Sequence, residues 1–206
     1  MIKHLFVGLL MISTIKVWAQ APAISLQANL SIQYQLEGDN PIQLFGPSAS
    51  ILFHKANGSK HQLEWSNIRF ASITTDLASS NSFYNAFRYE ISRKLAGDEG
   101  KVVWQMGLST TWSQYSFRSD PLTADRFTEK EIGTGFTFHL VPAAIIPLTD
   151  KIYLEVGIPL QLVSMDMNLS RTQDPSMPTQ SGIDILEFTQ NFGGGFMFRS
   201  GIGINL

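Results

Sequence analysis

Residues 24–36 read Ile24-Ser25-Leu26-Gln27-Ala28-Asn29-Leu30-Ser31-Ile32-Gln33-Tyr34-Gln35-Leu36, a run in which every even position is apolar and every odd position is an uncharged polar residue. Successive side chains of a β-strand point to opposite faces, so this period of two builds one apolar face and one polar face, which no helix would do. Globular strands usually run about five or six residues, whereas a tilted strand that crosses a bilayer needs about nine to eleven. The run is therefore read as a membrane-crossing strand. Ser25, Gln27, Asn29, Ser31, Gln33 and Gln35 look into a lumen, and the apolar set looks into lipid.

Upstream of this strand the chain has the pattern of an export signal. Lys3 and His4 give a basic start, residues 5–15 form an apolar run too short for a spanning helix, and Val17-Trp18-Ala19 supplies small residues at the cleavage positions. Cleavage is expected after Ala19, because a cut after Ala21 would place Pro22 at the scissile bond. Residues 1–19 are then a signal peptide and residues 20–206 a single domain. Processing removes two of the 15 Lys and Arg residues, leaving 13 against 17 Asp and Glu, a net charge of about −4. No basic stripe is present to displace counterions from nucleic acid, so no nucleic-acid partner is expected. There is no cysteine, hence neither a disulfide framework nor thiolate chemistry.

Downstream, seven further long strands are predicted at residues 42–53, 62–70, 83–95, 102–113, 132–146, 152–163 and 196–206. The connections after the second, fourth and sixth strands are short. Those after the third, fifth and seventh are long and polar, at residues 71–82, 115–131 and 168–190. Short turns on one side and long loops on the other, with an even strand number, describe a closed antiparallel eight-stranded transmembrane β-barrel. The faces also choose a register for the first hairpin. A two-residue Asn57-Gly58 turn would set Ile51 opposite Glu64 and mix the faces. A three-residue loop, Ala56-Asn57-Gly58, sets Ile51 opposite Leu63 and Ala49 opposite Trp65 outside, with Ser50 opposite Glu64 and Ser48 opposite Ser66 inside. Gly58 then takes the left-handed bulge position.

The chain ends Arg199-Ser200-Gly201-Ile202-Gly203-Ile204-Asn205-Leu206. This resembles the C-terminal assembly signal of outer-membrane β-barrels, with Arg199, Gly201, Ile204 and Leu206 at its four defined positions and Leu206 where many such barrels carry Phe. The mature chain as a whole resembles the small eight-stranded outer-membrane proteins of the OmpX and OmpA transmembrane-domain type. The resemblance implies the outer membrane of a Gram-negative bacterium, a monomer, recognition by periplasmic chaperones and the barrel-assembly machinery, and closure of the last strand on the first. Aromatic placement agrees with two interfacial belts: Phe53, Trp104 and Tyr153 at the short-turn end, and Tyr34, Phe45, Phe70, Phe83, Trp112 and Tyr115 at the other.

By alternation Glu64, Arg88, Glu90, Glu155 and Arg199 fall on the luminal face, where eight strands leave room for little but side chains. They are expected to pair and fill the lumen as a structural plug instead of lining a pore; a narrow path for small solutes is the competing reading. His54 and His61 flank the first hairpin on opposite faces in the chosen register, which separates what would otherwise be a metal pair. His139 is luminal and is the one candidate base for a lipid-modifying outer-membrane enzyme, but no His-x-Ser arrangement accompanies it. No cofactor is expected. Pro47, Pro142 and Pro159 lie inside predicted strands and cannot donate ladder hydrogen bonds, so they mark bulges or strand ends. Gly193-Gly194-Gly195 precedes no helix and is read as a flexible start to the last strand. A non-enzymatic barrel acting through its outward loops in surface contact or envelope integrity is the leading reading. A soluble lipocalin-like carrier, whose apolar face would point inward, is the third.

Overall fold

The computed structural model describes residues 23–35, 42–74, 78–97, 101–121, 128–173, 183–193 and 195–206, so the expected signal peptide lies outside the described residues. Ten strand segments follow one another: β1 Ala23–Gln35, β2 Ile42–His54, β3 Ser59–Thr74, β4 Ala78–Ala96, β5 Val103–Pro121, β6 Thr128–Pro147, β7 Ile152–Gly157, β8 Leu160–Gln173, β9 Ile183–Phe192 and β10 Gly195–Asn205. Every pairing is antiparallel, and β10 pairs with β1 from Ser25–Asn205 to Gln35–Gly195, which closes the sheet. β6 pairs with both β7 and β8, and β8 pairs with β9 where β7 pairs with β10. β7 with β8 thus makes one interrupted stave and β9 with β10 another, giving a closed eight-stave barrel.

The interruptions sit at Pro159 and Gly193. Pro159 has no N–H to donate, and the ladder is stitched around it: the Ile158 N–H donates to Pro142 O at 3.0 Å, and the Met197 N–H donates to Pro159 O at 2.8 Å. Gly193, at φ +69°, donates its N–H to Leu162 O at 3.0 Å. Pro142 stays inside continuous β6 and opposite Met106 of β5, but on its other side β6 changes partner there, from β8 through Leu140 to β7 from Ala143.

The three-residue first hairpin has the expected register, with Ser48–Ser66, Ala49–Trp65, Ser50–Glu64 and Ile51–Leu63 as partners. The Lys55 N–H donates to Ser59 O at 2.9 Å, and Gly58 adopts φ +78°, a conformation that a Cβ disfavours. The long connections differ from expectation. Residues 71–74, 78–82, 115–121, 128–131, 168–173 and 183–190 are strand. Residues expected in outward loops therefore continue the ladders, and β9 carries no alternation that would mark it in the sequence.

Burial is inverted relative to a soluble domain. Among the described residues the buried hydrophobic set is Leu52, Ala86, Val141, Ala143 and Tyr153, against sixteen buried polar or charged residues. In β1, Ser25 is 0% exposed while Leu26 is 48%. This excludes the lipocalin-like arrangement, whose core is apolar, and it leaves an apolar outer wall far larger than a monomer keeps in water. Trp65, Phe87, Trp112 and Phe136 are register partners along that wall, and Phe87 stacks on Trp112 with centroids 6.0 Å apart. Two aromatics expected in the belts are luminal instead. Tyr153 is 5% exposed and donates to Gln27 Oε1, while Tyr115 donates to Glu131 Oε1. Parity explains both, because each shares a face with luminal residues two positions away, Glu155 and Ser113.

Candidate functional site

The most concentrated chemistry lies inside the barrel. β3 contributes Lys60, Gln62 and Glu64 at alternating positions, β4 contributes Arg88 and Glu90, β7 Glu155 and β10 Arg199. The ladder places Glu64 opposite Arg88 and Gln62 opposite Glu90. Arg199 reaches three carboxylates, Glu155 Oε1 at 2.7 Å, Glu90 Oε2 at 3.0 Å and Glu64 Oε2 at 3.1 Å. Arg88 lies 2.8 Å from Glu64 and 3.6 Å from Glu90. Lys60 lies 2.7 Å from Glu155 and 3.9 Å from Glu90.

Three cations and three carboxylates thus form one charge-neutral hexad, with every member buried. Neutrality matters because an uncompensated charge removed from water costs several kcal/mol. The structure brings together Glu64, Arg88, Glu90, Glu155 and Arg199 and adds Lys60. Lys60 escapes the sequence reading because that reading starts the third strand at Gln62, although Lys60 shares the parity of Gln62 and Glu64.

Uncharged groups around the hexad continue the network. Ser48 Oγ donates to Glu64 Oε1 at 2.5 Å, and Gln62 Nε2 and Asn29 Nδ2 both donate to Ser50 Oγ, at 2.9 and 2.6 Å. Gln27 Nε2 donates to Asn29 Oδ1. Ser25 Oγ donates to Asn205 Oδ1 at 2.7 Å and lies 2.8 Å from His54 Nε2. Ser25 is fully buried, His54 is half-buried and Asn205 is exposed. His61 lies on the opposite wall face and meets the Tyr89 hydroxyl at 2.7 Å. His139 is luminal, 4% exposed and opposite Ser109 in the ladder; neither His139 Nδ1 nor Ser109 Oγ has a hydrogen-bond partner. Among the described residues no group of three or more His, Asp or Glu side chains is arranged to hold a metal.

The C-terminal strand presents Arg199 and Gly201 inward and Ile202 and Ile204 outward. A Cβ at Gly201 would run into Asn29 Oδ1 and Gln27 Nε2, so these two side-chain ends would have to move to admit it where β10 closes on β1.

No protein-family model matches the sequence, and no curated protein is detectably similar to it. Among solved structures, a major outer membrane protein from Thermus thermophilus is similar in fold, with a TM-score of 0.60 at 10% identity, covering 91% of this chain and 100% of that one. The fold is that of an outer-membrane β-barrel. The N-terminal β-barrel domain of Pseudomonas aeruginosa OprF also matches, with a TM-score of 0.46 at 9% identity over 88% of this barrel's chain and 97% of its own.

Proposed function

We propose that the chain is an integral outer-membrane barrel without enzymatic activity, closed to solutes, that acts in surface contact or envelope integrity through the strand ends projecting beyond the bilayer. The charge-neutral hexad carries this reading. Six interlocked ionic side chains across a lumen that eight strands leave narrow make a plug, since any solute passing would have to separate partners held at 2.7–3.9 Å. The projecting ends supply the surface. Met165 lies fourteen positions beyond Lys151, more than the about eleven residues that span a bilayer. β8 and β9 continue past that level with Met167, Leu169, Leu186 and Phe188 exposed on their outward side. Export, passage through the assembly machinery guided by Arg199, Gly201, Ile204 and Leu206, and a monomeric state belong to the same proposal.

Purified protein folded into planar bilayers tests the plug: absence of steady openings is expected, and sustained large conductance would overturn it. Membrane fractionation tests location, and recovery of the mature chain in the soluble periplasmic fraction would refute it.

A further inference from the structure

Directly beyond the hexad the barrel wall is incomplete on one side. Ser48–His54 of β2 pair with Lys60–Ser66 of β3, but farther along Ile42–Pro47 pair only with β1, and Asn67–Thr74 only with β4, among the described residues. The local sequence gives the cause. Pro47 brings no N–H to the ladder at the first position where pairing with β3 stops. The seam begins seven residues from His54, which at about 3.3 Å per residue and about 40° of tilt is about 18 Å up an apolar band about 25 Å tall. Irregular wall at that depth is tolerated where it lines a polar cavity.

A small cavity of mixed polar and apolar lining borders the seam. It has a volume of about 40 Å³ and touches Gly46 on the unpaired margin of β2 together with Ser48 and Ser66, the last β2–β3 pair before the seam. Arg88, Ser31 and Thr111 also line it. Arg88 is 5% exposed, and its Nε–H has no partner; Ser31 Oγ and Thr111 Oγ1 are likewise buried and unpartnered. Three hydrogen-bonding groups therefore converge on a space for about three water-sized groups. All three can donate, and Arg88 Nε can do nothing else.

We propose that this cavity binds the hydroxyl-rich, uncharged head of an outer-leaflet amphiphile, which enters sideways through the β2–β3 seam. Charge selects the head. The hexad is already neutral, and Glu64 lines the cavity, so a phosphate or carboxylate would leave an excess negative charge in a buried site, whereas hydroxyl oxygens accept from Arg88, Ser31 and Thr111 without adding charge. Size selects the depth, since the cavity admits hydroxyls and leaves the sugar ring at the seam.

The test uses the full mature chain folded in polyoxyethylene-ether micelles, with octyl glucoside as probe and the Arg88 Nε–H resonance as readout. A saturable shift is expected, weakened about fivefold in affinity in Thr111→Val and in Ser31→Ala, the loss of one hydrogen bond each. Free glucose at equal concentration should act at least about tenfold more weakly, and octyl phosphate should not compete. Because the chain has no cysteine, the seam can be probed separately. Phe45→Cys with Arg69→Cys, opposite each other if the ladder continued, should cross-link far more slowly than Ala49→Cys with Trp65→Cys, which are paired. No octyl glucoside shift would mean a cavity that holds water only. Equal potency of glucose would mean entry along the barrel axis, a stronger effect of octyl phosphate would defeat the charge argument, and equal cross-linking of the two pairs would mean a closed wall; each overturns the proposal.

Discussion

Arg199→Met is the most incisive perturbation of the lumen. Its guanidinium is held by Glu64, Glu90 and Glu155 at 2.7–3.1 Å, and its removal leaves those three carboxylates facing only Lys60 and Arg88. The buried cluster then carries a net negative charge, and breaking a buried pair from one side costs about 3–5 kcal/mol. Adding Glu155→Gln restores neutrality, two cations against two carboxylates, while the amide that replaces the carboxylate still offers an oxygen to Lys60. The double variant is therefore expected to be more stable than Arg199→Met by about 2 kcal/mol or more, a coupling that independent sites do not show. Reversible urea unfolding in phospholipid vesicles, followed by tryptophan fluorescence and by the mobility of the folded band on unheated gels, measures both. Spontaneous insertion into vesicles uses no assembly machinery, so any role of Arg199 in the C-terminal signal does not enter the result. Costs that simply add, with the double variant weaker than either single one, would refute charge balance as the organising feature of the lumen.

Gly201→Val should weaken closure of β10 on β1, because the new side chain displaces the Asn29 and Gln27 side-chain ends and breaks the hydrogen bond between them; a lower unfolding midpoint of the heat-modifiable folded band is the expected readout, and unchanged stability would count against the close approach. Gly58→Ala should cost about 1–2 kcal/mol in the same unfolding assay, the penalty for a Cβ at φ +78°. Leu63→Arg, on the outward face within the apolar band, should cost about 2–4 kcal/mol near the midplane, whereas Leu186→Arg on β9 should cost about 0–1 kcal/mol if that hairpin stands in water. Similar costs at both sites would show that β9 lies in lipid.

Most of the barrel is legible in the sequence because its determinants are local and periodic. Alternation in residues 24–36 assigns faces, face matching chooses the Ala56-Asn57-Gly58 loop over the two-residue turn, and the same parity carries Glu64, Arg88, Glu90, Glu155 and Arg199 to one side. What escapes is of two kinds. Distance from a strand end, an aromatic preference, puts Tyr153 and Tyr115 in the belts, when parity already sets them beside Glu155 and Ser113; periodicity outranks residue type. The strand ends at 71–74, 115–121 and 183–192 escape because their sequences carry no sustained apolar–polar alternation, and backbone pairing by itself leaves no mark on residue type. Lys60 falls just outside a boundary drawn at Gln62, two residues late. The unpaired margin beyond Pro47 is visible only as a proline to be accommodated, since one residue says where a ladder fails but not which neighbour it loses.

The positions of these irregularities relative to the charges are themselves informative. The β3–β4 ladder runs without a register shift from Ser59–Arg93 through Gln62–Glu90 and Glu64–Arg88 to Phe70–Ser82, and Arg199 pairs with Gly157 at the last residue of β7 before the Pro159 break. The Gln33/Tyr34 shift, the Phe138/His139 shift and the Pro47 seam lie toward the long-strand end, while the Lys94/Ala96 shift sits beside the short turn after β4. An ion network with partners at 2.7–3.1 Å needs backbones that do not move relative to one another, and uninterrupted pairing supplies that. The part of the wall toward the long-strand end is free of the requirement, so it can hold a proline, a glycine kink and an unpaired margin without exposing a charge. The ladder is therefore uninterrupted at the level of the charges and irregular on either side of them, and substitutions at Pro47 should alter the seam while leaving the stability contributed by Arg199 and Glu155 unchanged.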